Sequence, residues 1–144
     1  MTPDVNVLVA ASRADHPHHA AAHAWLLSAL DAARNGVPLG LLGTVVASYL
    51  RLVTHRKVFA EPTPITHAVA FVDALLQRPG VAMLAMQEEW AALKKLCLDL
   101  DLRDNEVPDA WIAASVLQQR ETLATFDRDF VRLLPGKQLL LLTP

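Results

Sequence analysis

The chain has 144 residues, 53% hydrophobic and 19% charged, with a formal net charge of −2. That length and apolar content make one domain with a sizeable core. The near-neutral charge excludes global attraction to a polyanion, so a nucleic-acid partner has to be met by a local patch or with help from another chain.

The N-terminus carries no basic segment before an apolar one, and Asp4 interrupts where a leader would begin. Val5 to Val9 is a short apolar run broken only by Asn6, the pattern of a strand buried on both faces. Asp15 and Pro17 mark a helix start, and the helix runs through His18, His19, His23, Trp25 and Leu30 to Asn35 and Gly36. Val37 to Leu42 reads as a second strand. Thr44 is placed to cap a helix bearing Val45, Val46, Tyr49, Leu50 and Val53.

Pro62 to Pro64 is the clearest loop, followed by helical spacing from Thr66 to Gln77. Pro79 and Gly80 turn the chain into a third strand, Val81 to Leu84. Gln87 to Leu98 reads as a helix with Trp90, Leu93, Leu96 and Cys97 inward and Lys94 and Lys95 outward. Cys97 is the lone cysteine, which excludes an intramolecular disulfide and fits a reducing compartment. Pro108 suits the first turn of a helix from Asp109 to Gln119, carrying Trp111, Ile112, Ser115 and Val116. Glu121 to Thr125 and Gln138 to Leu142 close the pattern as strands. Strands separated by helices imply a single α/β domain with a parallel sheet and helices on both sides. Apolar runs such as VPLGLLGTVVASYL are broken by Gly and Ser and fall short of a bilayer span, so the expectation is a soluble, cytoplasmic protein without membrane contact.

Four aspartates sit beside apolar stretches: Asp4, Asp109, Asp127 and Asp129. Burying an unpaired carboxylate costs several kcal/mol, so repeated acids in such places point to a shared cation. Oxygen ligands without a matching Cys/His set favour Mg²⁺ or Mn²⁺ over zinc. In open α/β sheets ligands gather outside the carboxyl ends of the strands. Asp127 follows a strand and so belongs at that edge, while Asp109 opens a helix whose dipole favours a carboxylate. Asp4, however, begins its strand in this reading, and joining it to the others requires a strand order that the sequence does not contain. The histidines at 16, 18, 19 and 23 lack an acidic or thiol third ligand at suitable spacing and read as a solvated helix face. His55, Arg56 and Lys57 form a basic cluster at a helix end, and Asp104 and Glu106 a charged loop.

Four segments, DVNVLVAA, RLVTH, VPDAWIAA and TFDRDF, occur in this order across nearly the whole chain. Together they resemble the PIN-domain ribonucleases, and among these the VapC toxins of bacterial toxin–antitoxin pairs. ADHPHHAAAHAWL and RLVTHRKVF are similar to the actinobacterial branch. The resemblance implies a three-layer α/β/α fold, an acidic pocket for Mg²⁺ or Mn²⁺, and cleavage of single-stranded or loop RNA such as that of tRNA or rRNA. It also implies a VapB-like antitoxin, which lays a helix and tail into the cleft; the apolar content itself points to helix surface covered in a homodimer, an antitoxin complex or both.

Residue by residue, Asp4, Asp109 and Asp127 match the family's metal-binding acids, and Asp129 a further acid. Asn6 and Thr125 match small polar residues that support the carboxylates, and Arg51, one turn from Ser48, is a candidate contact to RNA phosphate or, equally, a salt-bridge partner of a carboxylate. One position departs. The family usually carries a glutamate three residues before that arginine, and here the residue is Ser48. Three aspartates still suffice for one Mg²⁺, which keeps several waters, but a second ion loses a ligand. Two other function classes are consistent with parts of the chain. A weakened PIN domain acting as a protein- or RNA-binding module is suggested by Ser48 and by a mean hydropathy of +0.27. A phosphotransfer enzyme with an aspartyl nucleophile is disfavoured, since Asn6 stands where the second acid belongs.

Overall fold

Five short strands alternate with six helices in the computed structural model, which describes every residue from Met1 to Pro144. In chain order they are β1 (Thr2–Pro3), α1 (Val5–Ser12), α2 (His19–Arg34), β2 (Leu39–Leu41), α3 (Gly43–Val53), α4 (Ile65–Leu76), β3 (Val81–Met83), α5 (Glu89–Leu100), α6 (Glu106–Gln119), β4 (Leu123–Thr125) and β5 (Leu139–Leu141). All pairings are parallel. One ladder runs β1–β4–β5 and the other β2–β3. The Gly40 N–H donates to the Met1 carbonyl at 2.8 Å and bridges the ladders, giving the order β3–β2–β1–β4–β5. Connectivity reverses direction at β1, the kind of switch point where α/β sheets open a crevice.

The segment Val5 to Val9 is helical, not a strand. A continuous apolar run does not distinguish a buried strand from a buried helix, and here every residue from Val7 to Ala11 is buried. The Asp4 carboxylate accepts the Val5 N–H at 2.6 Å and starts the helix. The first strand is therefore only Thr2–Pro3, and Asp4 lies at its carboxyl end. Tertiary burial thus overrides the β-preference of three valines.

Smaller differences have similar causes. Thr44 does not cap α3, which starts one residue earlier with Leu42 as its cap. α6 begins a turn before Asp109, so that Pro108 and Asp109 both fall in its opening turn. Trp90 does not point inward: it is 67% exposed, and α5 instead buries Leu93 against Ala110 and Ala114 of α6. The main core joins α1 to β2, α3, α4 and β4 through Leu8, Leu39, Leu41, Tyr49, Val72, Leu123 and Phe130. Gly80, at φ +76°, makes the turn before β3, where a Cβ would meet the Ala33 backbone oxygen.

Candidate active site

Parallel pairing of Thr2 with Leu123 and Pro3 with Ala124 brings the next residues, Asp4 and Thr125, side by side at the carboxyl edge of the sheet. The Asp4 N–H completes that ladder by donating to the Ala124 carbonyl at 2.9 Å. The Asp4 side chain is buried and accepts three hydrogen bonds, which leaves one acceptor position of Oδ1 unused. Its Oδ1 takes the Val5 N–H, and its Oδ2 takes the Thr125 hydroxyl at 2.6 Å and the Asn6 amide at 2.8 Å.

The same two supporting side chains extend the network to the next acid. The Thr125 Oγ1 accepts from the Asn6 Nδ2 at 3.0 Å and from the Asp127 N–H at 3.0 Å, and the Asn6 Oδ1 accepts the Phe126 N–H at 3.3 Å. Asp127 then caps the short 3-10 turn Arg128–Arg132 by accepting the Asp129 N–H at 2.8 Å. Residues at the two ends of the chain are thereby held in one hydrogen-bonded unit.

Asp109 comes from the opening turn of α6 and accepts no hydrogen bond from the protein. Burial and then the charges of Asp4, Asp127 and Asp129 push its pKa up to about 6. Burial also raises Asp4, against the lowering effect of its hydrogen bonds, with the Asp127 charge adding to the rise. No Lys or Arg forms an ion pair with Asp4, Asp109 or Asp127.

A cavity of about 380 Å³ is lined by Asp4, Asn6, Asp109 and Asp127, and by Ser48 and Arg51 from α3. Arg51 is exposed and makes no salt bridge, so its guanidinium is not spent on a neighbouring carboxylate. Ser48 contributes a hydroxyl where a carboxylate would have added a further like charge. Asp129 does not line this cavity. It is exposed and lines a separate one of about 100 Å³ with Asp109, Glu106 and Arg132. Glu106 is neutralised there by Arg132 at 2.9 Å.

The donor set is all oxygen, the chemistry of Mg²⁺ or Mn²⁺. As the side chains stand, no three acids or histidines close round a single point, so an ion bound here needs water to complete its shell or a small movement of Asp109 or Asp127.

One residue of the cavity wall, His16, and an arginine packed on the lining residue Phe59 are not evident from sequence. Arg13, only 8% exposed, stacks its guanidinium 3.9 Å over the Phe59 ring and binds Asp15, Thr63 and the Glu61 carbonyl. His16 lines the cavity itself, although it reads from sequence as part of a solvated histidine face. It precedes α2 and lies in the loop between α1 and α2. The signal for both depends on reading Val5–Ser12 as a helix, which delivers that loop to the carboxyl edge of the sheet. His19 is used structurally, its Nδ1 lying 2.8 Å from the Ala10 carbonyl. His55, Arg56 and Lys57 are exposed beyond α3 and do not line the cavity, although the next residues, Val58 and Phe59, do.

The family model of the PIN domain matches residues 1–133. Ribonuclease VapC43 of Mycobacterium tuberculosis is 43% identical over 130 residues, covering 90% of this chain and 86% of the relative. Ribonuclease VapC25 of the same organism is 37% identical over 133 residues, covering 90% and 89%. Among solved structures, VapBC2 from Rickettsia felis bound to a promoter DNA fragment superposes with a TM-score of 0.70 at 16% identity, over 99% of this chain and 98% of the other. Mycobacterium tuberculosis VapC20, a sarcin–ricin loop cleaving toxin, gives 0.64 at 19% identity, over 90% and 92%. The two structures share the fold. The domain model and the mycobacterial relatives identify the chain as a member of the PIN-domain family, among the VapC ribonucleases.

Proposed function

We propose that the chain is a divalent-metal-dependent endoribonuclease of the VapC toxin type, acting on single-stranded or loop regions of RNA such as tRNA or rRNA. The observation that carries this reading is the meeting of Asp4, Asp109 and Asp127 on one cavity with none of the three in an ion pair. Like charges held together in this way, with Asp109 at about 6, call for an external cation.

Asp4, Asp109 and Asp127 would hold Mg²⁺ or Mn²⁺, with Asp129 in reserve beside Asp109. Bound there, the ion supplies an activated water and neutralises charge developing on the phosphate. The chain's own contribution is orientation. Thr125, Asn6 and the Val5 N–H fix both oxygens of Asp4, and Thr125 ties the backbone of Asp127 to the same unit. Arg51 sits across the cavity, unpaired, and is placed to take a phosphate oxygen of the RNA. Ser48 leaves the pocket with one carboxylate fewer, which suits one ion better than two.

A VapB-like antitoxin that presents a cation to this cavity would satisfy the same uncompensated charge and exclude the metal. The exposed apolar side chains Met86 (74%), Trp90 (67%) and Trp111 (36%) support a homodimer in the same reading. No helix is long and apolar enough to cross a membrane, and a cytoplasmic site of action goes with an RNA substrate.

The test is cleavage of total cellular RNA with Mg²⁺ or Mn²⁺ titrated, using protein freed of any co-purifying inhibitor. Defined fragments that require metal and disappear in Asp4→Asn and Asp109→Asn are expected. Intact RNA at every metal concentration, from folded protein, would instead favour a PIN domain retained as a binding module.

A further inference from the structure

We propose that His16 is a substrate-binding residue of the cleft, presenting its Nε2–H to a hydrogen-bond acceptor on the RNA beside the scissile phosphate. The inference rests on the reading that RNA is cut in the aspartate-lined cavity. His16 lines that cavity together with Asp4, Ser48, Arg51, Asp109 and Asp127, and it comes from a loop rather than from the acidic edge of the sheet.

The tautomer follows from a backbone contact. The His16 Nδ1 accepts the N–H of His18 at 3.1 Å, so in the neutral ring the proton resides on Nε2. Burial, with His18 and Arg13 nearby, holds the ring below the ordinary imidazole range despite the opposing charge of Asp15. The ring therefore offers a directed donor without adding a cation to the acid cluster.

The ring is also held in place. The His16 N–H donates to the Arg13 carbonyl at 3.1 Å. The Arg13 guanidinium in turn clamps the loop between α1 and α2 to the loop between α3 and α4, through Thr63 at 2.9 Å, the Glu61 carbonyl at 3.0 Å and the face of Phe59. Phe59 and Val58 line the same cavity. Two loops pinned by one buried arginine thus build a wall beside the carboxylates, with His16 as its directional polar group. No contact inside the protein uses the Nε2 of His16, and the mechanism proposed above gives it no task.

The experiment is binding of a short fluorescein-labelled single-stranded RNA, read by anisotropy in EDTA at fixed salt, for wild type and three variants. His16→Asn keeps an acceptor for the His18 N–H but no donor at the Nε2 position. His16→Gln places an amide N–H near Nε2, and His16→Ala removes both. The expected result is a dissociation constant raised roughly tenfold in the Ala and Asn variants and largely restored in Gln, the size of one hydrogen bond to a charged or strongly polar acceptor. Thermal melts of the same samples, with midpoints expected within a few degrees of wild type, check that each variant is folded.

Binding by the Asn or Ala variant equal to wild type, failure of Gln to recover affinity, or absence of RNA binding by wild type would each overturn the proposal. Metal-dependent cleavage persisting in Asp4→Asn would overturn the reading of the aspartates, an outcome separate from any binding result at His16.

Discussion

Asp4 and Asp109 line the same cavity and burial raises both, yet only Asp4 is held by hydrogen bonds. Asp4 is 4% exposed and receives three hydrogen bonds, which offset part of the cost of its burial, although its pKa is still raised. Asp109 receives none and is pushed up to about 6 by burial and by three neighbouring carboxylates. One acid is fixed in place by folding and the other is left for something that arrives later. A site of this kind separates orientation from charge: the sheet edge supplies a fixed carboxylate, and the helix supplies a poised one.

The largest expected effect breaks both halves at once. Asp4→Asn and Asp109→Asn should each lower metal-dependent RNA cleavage by at least about a hundredfold, since groups that merely orient metal ligands already account for ten- to a hundredfold in such sites. The comparison sharpens in stability. Asp4→Asn places an NH₂ where oxygens accept three donors and should lower the melting temperature, whereas Asp109→Asn relieves repulsion and should raise it. Equal shifts in the two melts would show that the cavity does not divide in this way.

Thr125 tests the orienting half alone. Thr125→Val keeps the shape but removes the hydroxyl that donates to Asp4 and accepts from Asn6 and the Asp127 N–H. With Asp4 buried, the loss should be on the order of 1–3 kcal/mol in urea unfolding, accompanied by reduced cleavage, while Thr125→Ser should stay near wild type. A Val variant as stable as wild type would mean that the network adds nothing to the compensation of Asp4.

How far the two halves were legible follows from the same residues. Asp127 and Asp109 could be positioned from local signals, because a strand ending at Thr125 and a helix starting near Pro108 each leave an imprint of period and punctuation. The parallel α/β class followed from alternation alone. Asp4 could not be positioned. The run Val5–Val9 carries no period that tells a buried helix from a buried strand, and choosing the strand put Asp4 at the wrong end of it. Its neighbour Thr125 is 121 residues away, and only the register Thr2↔Leu123 brings the two together. The same misreading hid Arg13 and His16, since the loop they build reaches the cavity only after a helix. Trp90 was missed for another reason: a helical period identifies an apolar face but not whether this chain or another surface covers it.

The smallest expected effect isolates the poised half, and its sign follows from proton linkage. The pKa of Asp109 rises from an ordinary 3.8 to about 6 on folding, so between those values the folded protein binds more protons than the unfolded chain. The contribution of Asp109 to stability must therefore fall as pH rises through roughly 4 to 6, and it stays at its low value above that window. Discounted for the solvent that reaches the opening turn of α6, the penalty at neutral pH is on the order of 1 kcal/mol. Asp109→Asn carries no titrating proton at this position. In EDTA it should match wild type below about pH 4 and gain that margin above about pH 6, read from urea midpoints across the range. A gap that is constant with pH would instead mean that Asp109 titrates normally in the folded protein, and the cavity would then lose its uncompensated charge, the property that makes it a site for a cation.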